Sequence, residues 1–184
     1  MERKNPTRRG FLKLSLYASA LALANGCHSA HYELLPRACG PRVKIKNKIR
    51  VLSFNIANAR GNNDYFFNPP RKETAKYNLD WIVELIRRYD IDVACMNEVD
   101  FNSIRTHGID MPEYIAKALC YNNIIREKMF DFPSVLEVGN AVVSRLPLHL
   151  SEYHQYGRGF VDRAAWRTEV DSAARRSKCV SWIP

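Results

Sequence analysis

The sequence predicts a mixed α/β (α+β) fold, and three successive segments carry that prediction: a strand at 49–56, an amphipathic helix at 71–88 and a short apolar strand at 91–96. Ile49, Val51, Phe54 and Ile56 make the first segment rich in β-formers with few polar residues, as in a strand covered on both faces. Between Asn58 and Pro70, Gly61, Asn62-Asn63 and Pro69-Pro70 break regular structure and mark a loop. In the helix, Ala75, Leu79, Ile82, Val83 and Ile86 recur on one face, while Lys76, Asp80, Glu84, Arg87 and Arg88 fall elsewhere. Ile91 to Met96 then reads as a buried strand, and strand, helix, strand in succession is α/β layering. Asp110-Met111-Pro112-Glu113 has the form of a helix start, with Asp110 as cap, so a second helix is expected over Met111–Leu119. Beyond it the pattern is strand and turn, with strands expected at 123–126, 140–145, 148–153 and 164–170. The expected core is Val51, Leu52, Phe54, Leu79, Ile82, Ile86, Val93, Cys95, Ala141 and Val143.

A chain of 184 residues, 46% hydrophobic and 26% charged, fits one globular domain rather than a disordered segment. The net charge of +9 suggests nucleic-acid binding until its distribution is examined. Residues 1–48 hold ten Lys/Arg against Glu2 and Glu33, which leaves 18 basic and 17 acidic side chains in the rest. A near-neutral body has no strong nucleic-acid footprint, which excludes a reading as a charge-driven DNA-binding protein. The five cysteines, Cys27, Cys39, Cys95, Cys120 and Cys179, contain no Cys-x-x-Cys pair and no metal-ligand spacing. Cys95 and Cys120 are expected to be buried, inert thiols.

The first 27 residues read as an export signal. A basic start is followed by an apolar run from Phe11 to Ala24, too short to cross a bilayer as a helix, and then by Asn25-Gly26-Cys27. Thr7-Arg8-Arg9-Gly10-Phe11-Leu12-Lys13 resembles the bacterial twin-arginine motif, which implies export to the periplasm or cell envelope. Ala24-Asn25-Gly26-Cys27 resembles a lipoprotein box without its usual Leu, and a lipid on Cys27 would tether the chain to a membrane without spanning it. Residues 28–48 are expected to form a basic linker, 49–170 the folded body and 171–184 an irregular tail.

Two polar side chains close the predicted strands. Asn55 ends the first and Glu98 follows the second, at the sheet edge where open α/β folds bind ligands. If the two strands are neighbours, an amide and a carboxylate converge, and a hard cation such as Mg²⁺ accepts one or two protein carboxylates. The alternative is that both are solvated loop residues.

Ile49-Arg50-Val51-Leu52-Ser53-Phe54-Asn55 resembles the opening motif of the endonuclease/exonuclease/phosphatase family. Asp92-Val93-Ala94-Cys95-Met96-Asn97-Glu98-Val99-Asp100 is similar to its second motif, with Asn97 where the family usually has Gln. Gly139-Asn140-Ala141-Val142-Val143-Ser144-Arg145-Leu146-Pro147 is similar to its third. The resemblance implies a partial four-layer α/β sandwich and Mg²⁺- or Mn²⁺-dependent hydrolysis of a phosphoester of unknown class. It implies that Glu98, with Asn55 beside it, holds the metal, and that Asn55 helps organise the nucleophile site. Asn140 and Arg145 are further catalytic candidates: Asn140 faces the cleft or supports a turn, and Arg145 contacts phosphate or is a surface residue beside a proline. The later family motifs, rich in His and Asp, find no counterpart after Val170, so a truncated hydrolase is expected. The alternative is a non-catalytic, envelope-tethered remnant or phosphate-ligand binding module.

Overall fold

The computed structural model describes residues 30–34, 48–61, 70–132, 135–156, 163–172 and 175–181. The leader with its paired arginines, Cys27 and most of the linker lie outside them. In chain order the elements are β1 (Ala30–Leu34), β2 (Val51–Asn55), α1 (Lys72–Arg88), β3 (Val93–Asp100), α2 (Met111–Leu119), β4 (Asn123–Phe132), β5 (Leu136–Ser144), β6 (Leu148–Tyr156), β7 (Arg163–Ser172) and β8 (Arg175–Ser181). Short 3₁₀ turns at Ala57–Ala59 and Ile104–Thr106 follow β2 and β3.

The first five strands form one sheet in the order β1-β4-β5-β3-β2, and β6-β7-β8 form a second. Among the described residues only β2 and β3 are parallel neighbours, and every other pairing is antiparallel. A parallel pair needs a crossover, and α1 supplies it. Its apolar face buries Ala75, Leu79, Ile82, Val83 and Ile86, and Glu73 and Arg87-Arg88 sit at the ends that suit the helix dipole. Helix α2 begins as its sequence indicates, with the Asp110 carboxylate accepting the Glu113 N–H at 2.9 Å.

Both faces of the five-stranded sheet are covered along its centre. Under the helices lies a core that includes Leu79, Ile86, Met96, Phe101, Ile115 and Val143. On the opposite face Val93, Cys95, Ile125, Val142, Leu146 and Leu148 form a second cluster. This two-sided burial explains the near-continuous apolar runs of β3 and β5. Of the expected core, Val51 departs most. It is 47% exposed because β2 is the edge strand and Val51 points away from the helices, where nothing among the described residues covers it. Leu52 and Phe54, on the helix side, are half-buried against the core.

Three further expectations are corrected. The linker contains β1, which pairs antiparallel with β4, from Ala30 opposite Glu127 to Leu34 opposite Asn123. The tail contains β8, whose Arg175–Ser181 pairs with β7 despite three basic residues. In both cases cross-strand pairing overrides weak local propensity. Cys120 is exposed and disulfide-bonded rather than a buried thiol, and it closes α2 as a left-handed cap with φ of 60°. Cys95 is a buried thiol outside any disulfide, as its apolar setting suggests.

Candidate functional site

The parallel pairing of β2 and β3 runs from Val51 opposite Val93 to Asn55 opposite Asn97, so both strands end at the same edge of the sheet. Strand β3 is longer than its apolar run and continues to Asp100. On its other side, Met96 pairs with Ala141 and Val99 with Gly139, so Asn97 and Glu98 together face Asn140. This is a β-bulge, a device that re-aims a side chain. Glu98 takes φ of 52° there, a left-handed conformation that disfavours a residue with a Cβ by about 1–2 kcal/mol.

Through the bulge Glu98 reaches β2. Asn55 Nδ2 donates to Glu98 Oε1 at 2.9 Å, and Asn55 Oδ1 accepts the Ala57 N–H at 2.8 Å. The second bond is a side-chain turn of the kind Asn favours, and it begins an unusual segment. Ala57, Asn58 and Ala59 all have positive φ, at 46°, 54° and 54°. Three successive non-glycine residues in that region persist only when their surroundings over-determine them. Here Asn78 of α1 donates to Ala59 O at 2.7 Å, and Arg105 Nη2 donates to Asn58 Oδ1 at 2.6 Å.

Arg105 is itself held by Asp100. Its Nε donates to Asp100 Oδ2 at 2.9 Å and its Nη2 to Oδ1 at 2.6 Å, while the Asp100 carboxylate has 0% exposure. Burial pushes the Asp100 carboxyl above its ordinary value of 3.8, partly opposed by the Arg105 bonds. One arginine therefore ties the strained turn after β2 to the end of β3. Arg60, just beyond the turn, places Nη2 3.8 Å from Glu98 Oε2. On the helix side, a hollow of about 290 Å³ between Phe54, Asn55, Asn78, Trp81 and Ile82 adjoins the mouth.

The four residues singled out from the sequence separate clearly. Asn55 and Glu98 come together. Asn140 lies across from the bulge, but it is buried and its Nδ2 donates to the buried Glu127 Oε2 at 2.9 Å, so its amide supports the strand pair β4–β5. Arg145 is not brought to the mouth. It sits at the start of β3, bonded through Nε to Asp92 at 2.6 Å and through Nη1 to Asp90 at 2.8 Å. Glu98 lies six positions along the chain from Asp92, about 20 Å at the usual strand rise. Arg60, Asn58, Asp100 and Arg105 escaped the sequence reading. A signal existed for Arg60, since it is a cationic residue in the loop leaving β2, where ligand-binding groups gather. None marked Arg105, whose partner Asn58 is 47 residues away.

No group of three His, Cys, Asp or Glu side chains that could hold a metal ion occurs among the described residues. At the mouth the Glu98 side chain is 46% exposed, with Oε1 accepting from Asn55 and Oε2 3.8 Å from the Arg60 guanidinium.

Residues 52–181 match the Endonuclease/Exonuclease/phosphatase family. Among curated proteins, none matches this chain. Two solved structures are similar. One is an endonuclease/exonuclease/phosphatase from Beutenbergia cavernae DSM 12333, 22% identical, with a TM-score of 0.47 over 72% of this chain and 36% of that one. The other is an endonuclease/exonuclease/phosphatase family protein from Leptotrichia buccalis C-1013-b, 14% identical, with a TM-score of 0.49 over 74% of this chain and 55% of that one. This chain thus spans 36% and 55% of the length of those two proteins. The match over residues 52–181 covers well over half of the sequence and contains Asn55, Glu98 and Asn140, and the chain belongs to the endonuclease/exonuclease/phosphatase family.

Proposed function

We propose that the chain carries a site for metal-dependent hydrolysis of phosphoesters. One observation carries the reading: Asn55 and Glu98 converge at the C-terminal ends of two parallel strands within the family-matched segment. The donors suit Mg²⁺ or Mn²⁺, hard cations that accept a single protein carboxylate and keep several waters. Glu98 would hold the ion. Asn55, whose oxygen faces the Ala57 N–H, would orient the carboxylate rather than ligate. A bound ion would neutralise charge on phosphoryl oxygens and stabilise the leaving oxygen. The rest falls to side chains already in place. Asn55 fixes the Glu98 rotamer, the left-handed turn fixes Asn55, and Arg60 adds positive charge where an anionic substrate would approach.

Glu98→Gln keeps the shape and removes the charge. It is expected to weaken Mg²⁺ binding at least about tenfold in calorimetry, the loss of one charged ligand at a site with few others. Unchanged affinity would reject the metal assignment. For catalysis, the chain is offered a phosphomonoester, a dinucleotide and a phospholipid, with and without Mg²⁺. Metal-dependent release of phosphate or nucleotide that Glu98→Gln abolishes supports the hydrolase. Binding without turnover supports the second reading, a phosphate-ligand binding module. That reading is favoured by the lack of a clustered His, Cys, Asp and Glu set among the described residues.

The twin-arginine pattern supports export to the periplasm or envelope, with Cys27 as a candidate lipid tether. The disulfide at Cys120 is consistent with that, since such bonds persist in oxidising compartments. Maleimide labelling of denatured, unreduced protein from the envelope fraction is expected to spare Cys120 and to modify it only after reduction. A labelled Cys120 before reduction would overturn the disulfide, and absence of the protein from the envelope fraction would overturn export.

A further inference from the structure

Arg60 does more than add positive charge at the mouth, because its placement is specific. It closes the left-handed turn, with its N–H donating to Ala57 O at 3.1 Å, so its backbone is fixed by the same segment that fixes Asn55. Its side chain is 30% exposed, which leaves the guanidinium partly covered but within reach of solvent. The contact with Glu98 is made at Oε2, the oxygen that Asn55 leaves open, because Asn55 engages Oε1. At 3.8 Å it lies beyond hydrogen-bond range and holds the guanidinium by charge alone.

A guanidinium and a divalent cation compete for one carboxylate oxygen. Two cations brought together there repel unless an anion lies between them. A phosphoryl group meets that requirement, with one oxygen toward the ion and others toward the planar fork of an arginine. We propose that Arg60 is a phosphoryl-binding residue that Glu98 holds in reserve: it pairs with Glu98 in the metal-free chain and turns to the substrate's phosphoryl oxygens once Glu98 is engaged. This rests on the reading of Glu98 as a metal-holding carboxylate. The ligand class is a phosphate ester or inorganic phosphate, and the headgroup or nucleoside attached is not specified by Arg60.

The test uses the full chain and two probes in calorimetry, first Mg²⁺ alone and then inorganic phosphate added to the Mg²⁺-saturated protein. Arg60→Ala is expected to bind Mg²⁺ about two- to fivefold more tightly, since a competing exposed ion pair is removed. The same variant is expected to bind phosphate about ten- to a hundredfold more weakly, as loss of a hydrogen bond to a charged group implies. Arg60→Lys keeps the charge without the fork and is expected to recover part of the phosphate affinity. Opposite movements of the two affinities distinguish this role from a propping one. If Arg60→Ala weakens Mg²⁺ binding and leaves phosphate unchanged, Arg60 merely supports Glu98 and the proposal is overturned. Failure to bind phosphate by the unaltered Mg²⁺-loaded chain overturns it as well. Glu98→Gln separates the two readings. If it abolishes Mg²⁺ binding while Arg60→Ala leaves phosphate affinity intact, only the role of Arg60 falls. If it leaves Mg²⁺ binding intact, the metal reading falls and takes this one with it.

Discussion

Arg105→Ala is expected to destabilise the fold by about 3–5 kcal/mol, the range seen when one partner of a buried ion pair is removed. The reason is the carboxylate left behind. Asp100 is fully buried, and Arg105 is bonded to both of its oxygens. Without the guanidinium, Asp100 has the Thr106 and Ser103 hydroxyls beside it but must stay charged in a buried site or take up a proton. Its folded-state pKa already lies above 3.8, and loss of Arg105 raises it further. A carboxyl with a raised folded pKa contributes its full stability below the unfolded value of about 3.8 and loses it as pH rises through the folded value. The deficit in the variant is therefore expected to be largest at neutral pH and to narrow on acidification. Urea unfolding of both proteins across pH 4 to 8 measures this. A constant deficit across that range would mean that Asp100 does not carry the effect. Arg105 also anchors Asn58, so the strained turn is expected to relax in the same variant.

Gly139→Ala should be at least as damaging, by a different mechanism. A Cβ at that position would fall on the Glu127 carbonyl oxygen, 2.8 Å from its carbon and 3.0 Å from Lys128 Cα. All three atoms are backbone of the neighbouring strand, so no side chain can swing aside. Gly139 pairs with Lys128 on β4 and with Val99 on β3, directly beside the bulge that aims Glu98. Overpacking typically costs about 1–3 kcal/mol, and a clash with fixed backbone belongs at or above the top of that range. Thermal unfolding is expected to show a markedly lower midpoint, with weaker Mg²⁺ binding in whatever fraction stays folded. A midpoint within a degree or two of the unaltered chain would mean that β4 and β5 can separate there at little cost.

Gly139 and Asp100 illustrate what a sequence discloses. The family motif contains Gly139 and Asp100 as letters, but nothing local says that one permits a close strand approach or that the other waits for Arg105. Helix α1 was legible because burial on one face leaves a 3.6-residue period, and α2 because Asp110 and Glu113 mark its start. Asn55 and Glu98 were legible as strand ends. Their convergence depended on strand order, which periodicity does not encode. The bulge at Asn97-Glu98 was invisible, since it is defined by register against β5. Strands β1 and β8 were missed because Ala30–Leu34 alternates over only five residues beside Pro36, Gly40 and Pro41, and Arg175–Ser181 opens on charges; both become strands by pairing. Arg145 misled because an arginine beside a proline looks the same whether it meets phosphate or, as here, the two aspartates that open β3.

The crossover from β2 to β3 also bears on the timing of folding. Asn55 and Glu98 are 43 residues apart, and the bond between them exists only after α1 has docked and the parallel pair has closed. Closing a chain segment of that length is an entropic barrier that must be crossed before the contacts beyond it reward the closure. A chain emerging from the ribosome therefore has no competent mouth while its first strand and helix are being made. The Asn55–Glu98 pair would then form abruptly, and its presence would report that the sheet has assembled.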